Sequence, residues 1–232
     1  MQGLKILKIM PNETLEKFIN DPKILYIYET GIQVYGLFPD VEDRDFLLIC
    51  DNDYVPEGFI PYSKDEYLYN ENGTYQYRMF PIKRWFNEVL SNSMLAWECA
   101  CLNKKFIHKE HVKLLVQTNP VQLRKDYDAE QNQLIESASE LIKAGNTLTG
   151  QKMLWYLVKY VMFANQIIEN HKIVKFKEPL DSYKRIVDGQ ISDLDTILQT
   201  FKEELYPHLE RFKKYTDEPL RLSKIKKIIQ NG

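Results

Sequence analysis

Cysteine is scarce, with three in 232 residues, at Cys50, Cys99 and Cys101. That is too few, and an odd number, for the disulfide framework of a secreted domain. No apolar run approaches the roughly 20 residues needed to span a bilayer. The N-terminus, Met1 to Lys8, mixes lysines with aliphatics and has neither the apolar core nor the cleavage-like site of a signal peptide. The expectation is a cytoplasmic protein with no membrane partner. Charge of one sign is also missing. With 31 Lys and Arg against 33 Asp and Glu, the formal charge is −2, so no global field would draw in nucleic acid or an anionic surface. Ser-His-Asp, phosphate-loop and dinucleotide motifs, repeats and low-complexity segments are absent too. Cys99-x-Cys101 followed by His108-x-x-His111 has zinc-binding residue types, but on a helix the two cysteines would point in different directions. The lysines of the last stretch, among them Lys213, Lys214 and Lys224, are balanced by acids such as Glu203, Glu210 and Asp217, and read as a solvated helix face.

What is present is concentrated between Glu29 and Ile49, in ETGIQVYGLFPDVEDRDFLLI. The apolar run Ile24 to Tyr28 ends in a turn at Gly31, and a loop through Gly36 and Pro39 leads to Asp43-Arg44-Asp45. A second apolar run, Phe46 to Ile49, follows. Side chains on a strand alternate with period two, so Asp43 and Asp45 share a face. Carboxylates that close repel unless a positive charge lies between them. A hard divalent cation such as Mg²⁺ suits the place, because it takes carboxylate oxygens and then the phosphate oxygens of a nucleotide.

The rest of the first half reads as short strands. Asn72-Gly73 between Glu66–Tyr69 and Thr74–Phe80 is a hairpin signal. From Pro81 the apolar residues Ile82, Trp85, Phe86, Val89 and Leu90 recur at three and four, which predicts an amphipathic helix. The second half is helical almost throughout. Helices are expected near Ala129–Ala144, Gln151–Asn170, Leu180–Asp188, Ser192–Tyr215 and Glu218–Gln230, punctuated by Gly145, Gly150 and Gly189. The fold class is therefore α/β (α+β): a small mixed sheet with flanking helices over residues 1–120 and a helical bundle over residues 121–232, joined near Asn119-Pro120 to Asp128.

The Gly31 turn and the Asp43-x-Asp45 pair resemble the nucleotidyltransferase superfamily named after DNA polymerase beta. Within it, the sequence is most similar to uncharacterised predicted nucleotidyltransferases of bacteria and phages, whose signature runs roughly E-S-G-S-H-A-Y-G-x-x-T-P-D-S-D-x-D. Glu29, Gly31, Tyr35, Gly36, Asp43 and Asp45 fall in register with it, while Pro39-Asp40 is shifted by one. Further on, Lys152 keeps the place of a family lysine, Tyr156 stands for a histidine and Lys159 for an arginine. The order of elements matches from Ile24 to Phe201. The resemblance implies a nucleotidyltransferase-type sheet and Mg²⁺-dependent (or Mn²⁺-dependent) transfer of a nucleoside monophosphate. The donor would be a nucleoside triphosphate such as ATP, and the acceptor an RNA, a protein hydroxyl or a small molecule. Asp43 and Asp45 would be the catalytic metal ligands, Gly31 and the Ile32 amide would cradle phosphate, and Lys152 and Lys159 would meet triphosphate oxygens as point charges. The setting would be a bacterial cytoplasm, or a host cytoplasm if the chain is viral.

Two departures bear on activity. The family serine after the first glycine is Ile32, which has no hydroxyl to offer. The third metal-binding acid belongs on the strand at Thr74–Phe80, where Gln76 stands instead. A glutamine can coordinate through its carbonyl, but it supplies neither charge nor a general base. Glu71 and Glu98 are other candidates. The rival reading is a catalytically decayed member that binds a host protein or nucleic acid.

Overall fold

A computed structural model describes residues 13–36, 44–71, 73–187 and 191–231, with side chains as far as 219 in the last helix. The chain forms two compact units. One is drawn from Met1–Thr30, Glu42–Trp85 and Asn103–Val112, and the other from Gly31–Val41, Phe86–Leu102 and Lys113–Gly232.

The first unit holds helix α1 (Glu13–Asn20) and strands β1 (Ile24–Thr30), β2 (Arg44–Cys50), β3 (Ile60–Ser63), β4 (Glu66–Glu71), β5 (Tyr75–Pro81) and β6 (Ile107–Glu110). They make one six-stranded sheet in the order β3-β4-β5-β2-β1-β6. It is mixed, because β2 and β5 run parallel while the other neighbours are antiparallel. Phe46 to Cys50 are all buried, as expected of a central strand covered on both faces. On one face Phe46, Leu48 and Cys50 pack with Ile24, Ile27, Tyr77 and Met79, and with Leu15 and Phe18 of α1. The rings of Phe46 and Tyr77 stack at 5.2 Å. Each such side chain removed from water contributes about 1.5–3 kcal/mol. The other face carries Tyr28, Leu47, Ile49 and Phe80, all buried, with the Trp85 ring 6.0 Å from that of Tyr28. The hairpin signal holds, since β4 and β5 pair from Tyr67↔Met79 to Glu71↔Tyr75. Helix α2 (Ile82–Leu90) opens directly after Pro81, as the periodicity predicts.

The second unit is built on α3 (Met94–Cys101), α4 (Pro120–Lys143), α5 (Thr147–Asn170), α6 (Leu180–Ile186) and α7 (Leu194–Asn231). Helix α5 is central, buried at almost every position from Leu154 to Ile167 and packed by α4, α6 and α7. The α/β class with helices to the C-terminus is thus as expected, while three boundaries differ from the sequence reading. The stretch from Asn119 to Asp128, read as a join, is the start of α4. The Asn119 side chain accepts the Gln122 amide at 3.1 Å, and Pro120 sits in the first turn, where its missing N–H costs nothing. Gly150 does not end a helix. It lies in the first turn of α5, where a Cβ would come within 2.6 Å of both the Ala138 carbonyl and Ile142, so it permits the close approach of α4. The two expected C-terminal helices are one. Thr216, fully buried, bonds back to the Phe212 carbonyl at 2.8 Å and takes a bond from Arg124 of α4 at 3.2 Å, holding the helix through the presumed break. Gly145 does end α4, with φ +85°, while Gly189 lies outside the described residues. Among the described residues no helix is long and apolar enough to cross a membrane.

Candidate functional site

The register of the sheet places a polar row across four strands. Thr30 of β1 pairs with Asp45 of β2, Asp45 with Gln76 of β5, and Gln76 with Asn70 of β4. These residues share one face, because paired Cα positions on neighbouring strands point the same way. Along that face the next row, Tyr28, Leu47, Arg78 and Leu68, is largely apolar. On β2 the polar side chain of this face lies at the end where the strand begins, while further along the face β4 and β5 carry the Glu66–Arg78 pair. Asp45 is half-buried and Gln76 exposed. The Thr30 hydroxyl approaches the Asp45 carbonyl at 3.4 Å, and the Arg44 amide bonds the Thr74 carbonyl at 2.8 Å. The backbone at the candidate metal ligand is therefore held from β1 on one side and by the residue before β5 on the other.

Gln76 stands directly beside Asp45, the place where a third acid would serve. Glu71 does not take that role. It pairs with Tyr75, which pairs with Arg44, and this rung faces the opposite side of the sheet. Glu71 instead accepts a hydrogen bond from Thr14 at 2.8 Å. In kind, the donors present fit a hard cation: a carboxylate, an amide carbonyl and a hydroxyl, all oxygen. In number they are few. Among the described residues no group of three His, Cys, Asp or Glu side chains gathers as a metal site. Asp43 lies outside the described residues. Of the zinc-type residues, Cys101 is engaged in the second unit, where its sulfur accepts the Ile173 amide at 3.2 Å.

Behind Asp45, on the other face of β2, lies a buried ion cluster. Glu29 is 2% exposed. Both its oxygens meet the Arg44 guanidinium, at 3.0 and 2.5 Å, and His108 Nε2 lies 3.2 Å from Oε2. Burial alone would raise the Glu29 pKa, but the bonds from His108 and Arg44 outweigh it and bring the carboxyl below its ordinary value. A matching cluster occupies β4, where buried Glu66 accepts from Arg78 and Ser63 and pairs with Arg84 at 3.1 Å. Sequence reading found Glu29 only as part of a motif. His108 was missed as its partner, because β6 is four residues long and carries no periodic signal.

In the second unit, Gly31 adopts φ +76°, a left-handed value that favours glycine. The Val34 amide closes the turn on the Gly31 carbonyl at 3.2 Å, and the Gly36 amide closes on Gln33 at 3.1 Å. Ile32 packs against the helical core. Where the resembled signature has a hydroxyl, this chain has an apolar anchor. Tyr35 continues the anchoring, with its ring 5.7 Å from Trp155 and its hydroxyl donating to Glu98. Burial, and then the Glu98 charge, push the Tyr35 phenol well above its usual pKa.

Lys159 completes this cluster. It is 6% exposed, and its amine donates to Glu98 at 2.7 Å and to the Tyr35 hydroxyl at 2.9 Å. It also lies 4.9 Å from the ring centroids of both Tyr35 and Tyr156, within cation–π reach. Glu98 is not a helix-surface acid, since its side chain is 13% exposed. Lys152, two turns earlier on α5, is exposed. Trp155 is a core residue whose indole N–H bonds the Pro179 carbonyl at 3.1 Å.

No protein-family model matches the sequence, and no curated protein is similar to it. Among solved structures, a nucleotidyltransferase-like protein from Exiguobacterium sibiricum 255-15 is similar over 90% of this chain and 78% of its own, at 12% identity and a TM-score of 0.36. An aminoglycoside 6-adenyltransferase from Bacillus subtilis is similar over 91% of this chain and 94% of its own, at 9% identity and a TM-score of 0.29.

Proposed function

We propose that the chain is a nucleotidyltransferase that binds Mg²⁺ and a nucleoside triphosphate and transfers a nucleoside monophosphate to an RNA, protein or small-molecule acceptor. The observation that carries the reading is the polar row with Asp45 at the start of a central strand. Asp45, together with Asp43 two residues before it, would hold the cation. The cation, once bound, supplies Lewis-acid stabilisation of the phosphoryl oxygens during in-line attack on the α-phosphate, with pyrophosphate leaving. Gly31 and the Ile32 amide would meet phosphate through the backbone, and Lys152 would add a point charge. Lys159 is assigned a lesser part, because its amine already serves Glu98 and Tyr35.

Thermal shift with each triphosphate, with and without Mg²⁺, tests the reading. Ligand at 100 times its Kd stabilises by about 2.7 kcal/mol. The Mg²⁺-dependent part should vanish in Asp45→Asn, whose neutral amide is a weaker cation ligand. Equal shifts in the variant, or none in the parent chain, would contradict it.

One observation favours the second reading, in which the chain has lost catalysis and acts by binding a host protein or nucleic acid. Gln76 stands beside Asp45, where the reaction needs a further acid. If the site is an impaired enzyme, Gln76→Glu should raise Mg²⁺-dependent pyrophosphate release. No gain would support the binding role.

A further inference from the structure

Residues 174–178, between α5 and α6, are pinned to the helical core by one side chain. Gln166 of α5 is 6% exposed. Its Oε1 accepts the amides of Val174 and Lys175, both at 2.8 Å, and its Nε2 donates to the Lys175 carbonyl at 3.3 Å and to Glu178 at 2.5 Å. Both lone pairs and both protons of the amide are used, so the loop has one well-defined course. Phe176 fixes it further. Its ring stacks on that of Tyr35 at 6.4 Å and meets that of Phe163 at 5.6 Å, and Tyr35 is itself held by Glu98 and Lys159. The next residue, Lys177, is thereby laid across the glycine turn. A Cβ on Gly36 would come within 2.8 Å of Lys177 Cε and 3.4 Å of its Nζ, so the lysine stem covers a backbone that only glycine leaves open, at φ +74°. Two groups at this place lack partners. Among the described residues the exposed Lys177 amine makes no hydrogen bond or ion pair, and the Ile32 amide, at the start of the turn closed by Val34 and Gly31, makes no hydrogen bond.

We propose that Lys177 is the cation that binds a triphosphate group at the Gly31–Gly36 turn, together with the Ile32 amide. Backbone amides in consecutive turns form a concavity suited to anions, and an ammonium beside them adds charge-assisted hydrogen bonds. The two lysines that spacing singles out are placed differently: Lys159 is engaged by Glu98 and Tyr35, and Lys152 lies two turns before it on α5. The proposal rests on the nucleotidyltransferase reading for the nucleoside that the phosphates carry. The triphosphate group itself, in a nucleotide or free, is what the turn and the amine recognise. Lys175 provides a matched control. It carries the same charge on the same pinned loop, but it lines a cleft with Glu178, His208 and Arg211 that includes neither Gly36 nor Lys177.

The test compares Lys177→Met with Lys175→Met. Methionine keeps a stem over Gly36 and removes the charge, so both variants should melt with the parent chain. Calorimetry measures the binding of inorganic tripolyphosphate in chelator and of ATP with Mg²⁺, and ¹⁵N–¹H spectra identify the amides that move. Tripolyphosphate should shift the Ile32 and Gly36 signals. Lys177→Met should weaken its binding about 10-fold or more, the size of a lost charge-assisted hydrogen bond. Lys175→Met should change it by less than about 3-fold, because an exposed charge out of contact is largely screened. Equal weakening in both variants, no weakening in Lys177→Met, or signals that move elsewhere than the turn each overturn the proposal, as does a parent chain that binds neither probe. If tripolyphosphate binds through Lys177 while ATP with Mg²⁺ does not bind, the nucleotidyltransferase reading fails and the anion site stands. If only ATP with Mg²⁺ binds, the same comparison of variants decides. Should Lys177→Met melt early, Lys177→Gln is read in the same way.

Discussion

Asp45 and Lys159 carry opposite charges in opposite settings. Asp45 is half-exposed at the end of a strand, in a row of neutral polar side chains, with its backbone held from both sides. Lys159 is in the middle of a helix buried almost all round, with a carboxylate and a phenol on its amine and aromatic rings about it. A buried charge persists only when partners replace the lost water, so the Lys159 amine is engaged in holding the fold. A carboxylate at a polar strand end can take a cation as its partner. The contrast is between a charge whose partners lie in the helical core and one at a polar strand end, to which the proposed reading assigns a cation.

The sharpest way to break this contrast is Lys159→Met. It leaves the Glu98 carboxylate and the Tyr35 hydroxyl without their cation, and removing one partner of a buried pair costs about 3–5 kcal/mol. Urea unfolding measures it. A loss under about 1 kcal/mol would place Lys159 among surface pairs, and Glu98→Gln added to Lys159→Met should recover part of the loss.

Gly150→Ala comes next. The added methyl meets the Ala138 carbonyl and Ile142 at 2.6 Å, and overpacking of this kind costs about 1–3 kcal/mol. A neutral or stabilising result would mean that α4 and α5 are free to spread, and that the surroundings of Lys159 are less fixed than their burial implies.

Acid titration sharpens the comparison from the sheet side. The Glu29 and Glu66 carboxyls are both held below their ordinary value of 4.5, in each case because hydrogen bonds and nearby cations outweigh the effect of burial. A depressed folded pKa gives stability that is present above the unfolded value and is lost as pH falls through the folded one. Stability should therefore decline below about pH 4.5, and Glu29→Gln should flatten that decline in a pH series of denaturant midpoints. An unchanged slope would remove Glu29 from the account of acid sensitivity.

The smallest expected effect is on the folded stability of Asp45→Asn. In chelator its unfolding free energy should stay within about 0.5 kcal/mol of the parent, as for substitutions at half-exposed positions that leave size and shape unchanged. A clear drop would make Asp45 structural, like Lys159, and dissolve the contrast.

What could be read from the chain followed the regularity of its elements. The strand carrying Asp45, the pairing of β4 with β5 and the helix after Pro81 are marked by local signals, and each lies where the sequence put it. The place of Asp45 on β2, with Gln76 at its side, was legible for the same reason. Helix α1 escaped because eight residues give barely two turns of periodicity, and β6 because four residues give almost none. The role of Gly150 depends on the neighbouring helix, and a glycine in sequence looks the same whether it ends a helix or admits one. The partners of Lys159, at positions 35 and 98, are remote in sequence. Nothing in the spacing from Lys152 to Lys159 distinguishes an exposed amine from a buried one seven residues later.

The most direct measurement is the paramagnetic broadening of backbone amide signals by Mn²⁺ in the presence of ATP. The account predicts broadening centred on Asp45 and its neighbour Gln76, and its loss in Asp45→Asn. Broadening centred instead on the acidic turn Asp51-Asn52-Asp53, or a pattern unchanged by Asp45→Asn, would contradict it.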